Sequence, residues 1–326
     1  MTIVTVMTGE ETGVVGQQVA LPVPEPYDAH GIFRFLAARA IDGMEVADVD
    51  SDPSRLRYAR TLLLPHGPGA VEVIAAREPD GSWEVHLSLE ATSLADVAPA
   101  VARIRRLLDL DVDPAAVDSA LAEDPHLAPL VRRTPGIRVP GAVDPHELLM
   151  RAIVGQQISV ARATAHLNRL VEVAGSRWSS SIAGLERLFP TAAEILRHVP
   201  SPVDGEPLDP DRPLRLPRRS VRTVVACSRA VARREIDLHV GADPQRLREQ
   251  LLAQPGIGAW TAGYVAMRVL SDPDAWLPGD VALLSGARAA GVPLPEGSKA
   301  AAHRALAAHA SAWAPWRSYA ALHLWR

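Results

Sequence analysis

The segment Gln254-Pro255-Gly256-Ile257-Gly258-Ala259-Trp260-Thr261-Ala262 constrains the fold of this chain more than any other. Pro and Gly stop one helix, and Gly256 and Gly258 permit a tight turn into the next. A hairpin between two helices is expected, with backbone N–H groups left exposed beside a helix N-terminus. Such groups suit a phosphate. Twenty-two residues after Gly258, in Leu277-Pro278-Gly279-Asp280, a lone carboxylate stands at the predicted start of a helix over Val281 to Ala290. One element could hold a nucleic-acid backbone while the other places a carboxylate next to it.

The rest of the chain reads in two parts. Val71, Val73 and Ala75, then Trp83, Val85, Leu87 and Leu89, alternate with polar residues. That period of two predicts half-buried antiparallel strands, with Pro79-Asp80-Gly81-Ser82 as the turn between them. Helices are predicted over Ala29–Ala40 and Ser93–Leu110. From Asp113 onward the period is helical. Asp144-Pro145-His146-Glu147 carries an N-cap, a first-turn Pro and a carboxylate at the third position, and Asp243-Pro244 repeats the start signal. Ser201–Pro217, rich in Pro and Asp, predicts a loop. The divisions expected are a loose leader over 1–20, an α+β domain over 21–112, a linker and helical segment over 113–143, a helical domain with the hairpin over 144–270, and a terminal segment over 271–326 holding Asp280.

Composition narrows the chemistry. Cys227 is the only cysteine, so no intramolecular disulfide and no cysteine-ligated zinc or iron–sulfur site is expected. Met1–Gly13 lacks the pattern of a signal peptide, and no apolar run reaches the ~18 residues that span a membrane. A reducing cytoplasm fits. The net charge of −4 predicts a small phosphate footprint. The arginines nevertheless cluster: Arg212 to Arg234, Arg103 to Arg106, and Arg132, Arg133 and Arg138. Each cluster reads equally well as a solvated helix face. Of 34 basic residues only Lys299 is lysine. No nucleotide-binding fingerprint, phosphate-binding loop, nucleophile elbow or His-Glu-x-x-His occurs.

The hairpin with its downstream aspartate resembles the helix-hairpin-helix superfamily of DNA glycosylases. Three more segments narrow the resemblance to the bacterial 3-methyladenine DNA glycosylase II (AlkA) type: Arg151-Ala152-Ile153-Val154-Gly155-Gln156-Gln157-Ile158-Ser159-Val160; Trp313-Ala314-Pro315-Trp316-Arg317-Ser318-Tyr319-Ala320 with His323-Leu324-Trp325; and Pro26-Tyr27-Asp28 with Phe35-Leu36-Ala37-Ala38-Arg39-Ala40. Together they cover about residues 22 to 326. The resemblance implies a mainly α chain in which an N-terminal α+β domain, built on an antiparallel sheet, packs on two helical domains around a cleft. It also implies a monomer, without cofactor, that acts on double-stranded DNA holding a damaged base, near the bacterial nucleoid.

Site residues follow from the same resemblance. Asp280 alone reads first as a helix N-cap; the family pattern makes it the catalytic carboxylate. Trp260 and Tyr264 share a helix face and, with Trp325 and Phe35, fall at positions of the family's base pocket, though aromatics at that spacing also build cores. Gln157 falls at the wedge into the base stack. Gly256, Gly258 and Thr261 fall at the phosphate-binding hairpin, whose carbonyls near Gln254 and Ile257 could hold a monovalent cation. The chain departs from the pattern at Val281, where the best-known member has tyrosine, and at Gly279, where it has an acidic residue. A wider or less polar cleft is expected. The implied activity is monofunctional removal of alkylated bases of the 3-methyladenine and 7-methylguanine type. A same-fold enzyme for another damaged purine, or a non-catalytic hairpin protein that binds damage, remain the alternatives.

Overall fold

The computed structural model describes residues 4–8 and 15–326. Two strands open the chain, β1 (Val4–Thr8) and β2 (Val15–Leu21), followed by helix α1 (Ala29–Ala37) and strands β3 (Glu45–Asp48), β4 (Arg55–Leu64), β5 (Gly67–Arg77) and β6 (Trp83–Ala91). They form one antiparallel sheet in the order β1-β2-β6-β5-β4-β3. The expected leader over 1–20 is therefore corrected: β2 pairs with β6 from Val15↔Ala91 to Leu21↔Val85, and β1 adds to its outer edge. The remainder of that stretch, 1–3 and 9–14, lies outside the described residues. Helix α2 (Val97–Leu107) packs on the sheet after a short 3₁₀ turn capped by Ser93.

Among the described residues the chain continues as helices: α3 (Pro114–Leu121), α4 (Ala128–Arg133), α5 (Pro145–Val154), α6 (Val160–Ala174), α7 (Ala192–His198), α8 (Arg218–Ala232), α9 (Pro244–Leu252), α10 (Ala259–Val269), α11 (Val281–Ala289), α12 (Lys299–His309) and α13 (Arg317–Leu324). The starts read from sequence form as local caps. Asp144 accepts the Glu147 N–H at 2.8 Å, and Asp243 accepts that of Arg246 at 2.8 Å. Each such cap stabilises its helix by about 1 kcal/mol.

Among the described residues three large apolar cores result, with a small fourth cluster of Ala59, Ala70 and Leu185 on the other face of the sheet. One joins the sheet to α1 and α2 through Phe33, Tyr58, Leu87 and Ile104. A second lies among α5 to α10, built on Leu149, Ile153, Val224 and Val265. The third unites residues 117–139 with the end of the chain, packing Val117, Leu121 and Leu127 on Leu283, Leu306 and Tyr319. Arg138, expected among surface arginines, is instead buried here and donates to the carbonyls of Pro24, Pro26 and Asp109.

An ionic ring spans the boundary between the first two cores. Arg60 on β4 donates to Glu45 (3.2 Å) and Glu147 (2.6 Å), and Arg151 on α5 donates to the same two carboxylates at 2.6 and 2.8 Å. Tyr58 adds a hydrogen bond to Glu45. The Glu147 carboxylate thus serves this ring rather than a reciprocal helix cap. Arg151 also donates to the Arg39 carbonyl at 3.0 Å, which fixes the end of α1 against α5.

Candidate active site

The hairpin joins α9 to α10 as its glycines require. Gly256 has φ +87°, and a Cβ there would strike Thr223 of α8. The Thr223 hydroxyl donates to the Pro255 carbonyl at 3.0 Å, so α8 braces the turn. Gly258 is the N-cap of α10 and faces open space. It offers no side chain to cap the helix, which leaves the first-turn N–H groups for an outside acceptor. Thr261 is different. The residue is 3% exposed and its hydroxyl accepts from Gln156 Nε2 at 3.0 Å, so the side chain is committed within the protein. Gln254 O, expected near a cation, already accepts the Ile257 N–H at 3.1 Å.

Asp280 is the N-cap of α11. Its Oδ1 accepts the Leu283 N–H at 2.8 Å. The rest of its environment is not that of an ordinary cap. Trp260 Nε1 donates to Oδ2 at 2.7 Å and Trp325 Nε1 lies 3.4 Å from Oδ1. Asp280 is 8% exposed, and its carboxylate meets donors only, at the positive end of a helix. These contacts hold the carboxylate in one orientation. Gly279, just before it, has φ +76° and no atom within 4 Å of where a Cβ would sit.

Asp280, Trp260, Tyr264, Trp325 and Phe35 all line one cleft of about 720 Å³. Trp260 and Tyr264, one turn apart on α10, stack with ring centroids 5.1 Å apart and planes 7° from parallel. From sequence alone these aromatic faces are expected to be open to a ligand. Two of them are already occupied, because Arg39 lies 3.7 Å over Phe35 and Arg268 lies 4.8 Å from Phe35 and 5.3 Å from Tyr264. Burial pushes both guanidiniums below their usual pKa, while Tyr264 acts in the opposite direction. Neither arginine was singled out from sequence. Their spacing was the available signal, since Arg39 follows Phe35 by four residues and Arg268 follows Tyr264 by four.

The loop between α5 and α6 stands at the cleft mouth. Gln157 is exposed there with φ +60°. Its neighbour Gln156 donates from Nε2 to Gly256 O at 3.2 Å and to Thr261, tying this loop to the hairpin. No local pattern in the sequence encodes that tie.

A family model described as the AlkA N-terminal domain matches residues 18–144. DNA-3-methyladenine glycosylase 2 of Escherichia coli is 31% identical over 301 residues, which cover 92% of this chain and 94% of that one. The chain belongs to the AlkA family. A second AlkA relative, a bifunctional transcriptional activator/DNA repair enzyme of Mycobacterium tuberculosis, is 39% identical over 305 residues. The match covers 94% of this chain but only 56% of that protein, so the chain spans little more than half of the relative's length. The solved 3-methyladenine DNA-glycosylase from Archaeoglobus fulgidus shares the fold, with a TM-score of 0.72 at 18% identity over 94% of this chain and 96% of that one.

At the departures from the AlkA pattern, Val281 is 69% exposed and does not line the cleft, although Asp280 and Ala282 on either side of it do, and Gly279 faces open space. The arginine-rich segment before and along α8 is partly committed within the protein. Arg218 donates to the carbonyls of Val203 and Glu206, while Arg222 holds Asp204 and Pro202 O, which pins the predicted loop over 201–217. Arg219 and Arg229 remain exposed. Lys299 is exposed at the first turn of α12 and does not line the cleft. No helix among the described residues is long and apolar enough to cross a membrane.

Proposed function

We propose that this AlkA-family chain is a monofunctional DNA glycosylase that removes alkylated purines, of the 3-methyladenine and 7-methylguanine type, from double-stranded DNA. The observation that carries the proposal is Asp280, a carboxylate held by the Leu283 N–H and two indole N–H groups at one end of an aromatic cleft. A base must leave the stack to reach such a cleft. Gln157 occupies the gap left behind, and the N-terminus of α10 holds the backbone phosphate.

With the base in the cleft, its sugar C1′ lies beside Asp280. The N-glycosidic bond breaks with both electrons moving to the base, and positive charge develops on the sugar. The fixed anion stabilises that charge and orients the water that adds to C1′. The water's proton passes to the carboxylate or onward to solvent. An N3- or N7-alkylated purine is already cationic and leaves as a neutral base, so a second carboxyl acting as general acid is not required. The chain works as a monomer, without cofactor, in the cytoplasm around the nucleoid.

The test is incubation with duplex DNA treated with a methylating agent, followed by identification of the released bases. Release of 3-methyladenine supports the assignment. Binding to methylated DNA without release of any base would turn the reading toward a damage-binding protein.

A further inference from the structure

The cleft has a second pole, opposite Asp280. Trp260, Tyr264 and Arg268 follow one another at successive turns of α10. Asp280 is bonded to the first of these side chains. The row then runs 5.1 Å from the Trp260 ring to the Tyr264 ring, and 5.3 Å from there to the Arg268 guanidinium. Arg268 is 6% exposed, yet it lines the cleft. Its Nε donates to Pro140 O and its Nη1 to the Tyr264 hydroxyl, and Nη2 has no acceptor among the described residues. Arg39, across Phe35 and just past the end of α1, donates once to that helix, at Phe35 O. Neither guanidinium has a carboxylate partner among the described residues, although both arginines of the ionic ring nearby, Arg60 and Arg151, have two. Two buried or half-buried cations thus line one cavity, neither of them ion-paired and both with donors left for an acceptor from outside.

Resting on the glycosylase reading, we infer that Arg268 and Arg39 read the edge of the base remote from the sugar, and select purines carrying an oxygen at position 6. With C1′ at Asp280, the six-membered ring of a flipped purine points along the row toward Arg268. A 6-oxo group accepts from a guanidinium; a 6-amino group presents donors to donors. The pair therefore favours guanine-type and hypoxanthine-type lesions over adenine-type lesions of equal alkylation.

The matched pair 3-methylguanine and 3-methyladenine tests this, because both are cationic and alkylated at one position. Release of the two bases from methylated duplex DNA is compared in wild type, Arg268→Met, Arg268→Lys and Arg39→Met, with thermal melting to confirm folding. Taking the ratio cancels the intrinsic leaving ability of each base. Arg268→Met should lower the guanine-to-adenine ratio by roughly ten- to a hundred-fold, the discrimination of a good guanidinium–base contact. Arg268→Lys, which keeps charge but loses the fork, should fall between. Arg39→Met should lower the ratio too, and it carries the test if the more buried Arg268 variants fail to fold. A ratio within twofold of wild type in the folded variants overturns the inference alone. Failure of the wild-type chain to release either base removes the glycosylase reading and the inference with it.

Discussion

Asp280→Asn isolates the charge from the shape of the proposed catalytic group. The substitution is nearly isosteric, and Asn caps a helix about as well as Asp. What changes is the field at C1′ and one hydrogen bond. A carboxylate about 4 Å from a developing positive charge contributes about 4 kcal/mol at an effective dielectric near 20, which corresponds to a thousandfold in rate at 1.36 kcal/mol per decade. The amide must also turn its NH₂ toward either the Trp260 or the Leu283 donor, each of which lies within 2.8 Å of the carboxylate. An unmet donor there costs about 1–3 kcal/mol of stability, seen as a loss of a few degrees in Tm. Single-turnover release of 3-methyladenine should therefore fall about a thousandfold in a protein that still melts cooperatively near the wild-type temperature. Binding to duplex DNA bearing a cationic abasic mimic should weaken as well. A folded Asp280→Asn protein that releases the base at near wild-type rate would falsify the assignment.

Four further outcomes follow from the same geometry. Trp260→Ala and Trp325→Ala should impair base release more than binding to undamaged duplex, since the pocket acts only after flipping; equal losses in the two assays would mark both as core residues. Borohydride added during turnover should trap no protein–DNA adduct, because Lys299 does not line the cleft; an adduct that disappears in Lys299→Ala overturns the monofunctional assignment. Gln157→Gly should match or slightly exceed wild type in stability by relieving a positive φ, yet release less base from a paired lesion than from one in an unpaired bulge; equal release from both refutes the wedge role. Arg60→Met should cost about 3–5 kcal/mol in urea unfolding, because it strands two buried carboxylates on one arginine, whereas Asp204→Asn, at a pair exposed to solvent, should cost under ~1 kcal/mol; similar values for the two would refute the role given to the ring.

Local signals carried the sequence reading as far as local physics extends. Pro and Gly punctuation located the hairpin, and the Asp-Pro starts located α5 and α9, because caps and turns are decided within a few residues. Strand β4 was missed for a tertiary reason. Its run from Tyr58 to Leu62 is buried on both faces, against α1 on one side and the segment around Trp178 and Leu185 on the other, so it lacks the alternation of a half-buried strand. The early pairing of β2 escaped notice because its partner, β6, lies some seventy residues downstream. In the site, the residues on α10 and at the N-cap of α11 were legible as a pattern. The Gln156 tie to the hairpin joins residues about a hundred positions apart and Arg268 meets Phe35 across more than two hundred, so no periodicity links those pairs, whereas Arg39 over Phe35 lies within the reach of an i, i+4 spacing.

The ring of Arg60, Glu45, Arg151 and Glu147 bears on how damage is found. It clamps the end of α1, which carries Phe35, and the turn after it, which carries Arg39, to α5, and so fixes the two walls of the cleft relative to each other. A cavity held open this way receives a base without first closing around it. The work of extrusion then falls on the duplex, and a nucleotide that is weakly stacked or poorly paired pays least for it. Discrimination between sound and damaged DNA would begin with the helix's own fluctuations, before any side chain in the pocket has touched the base.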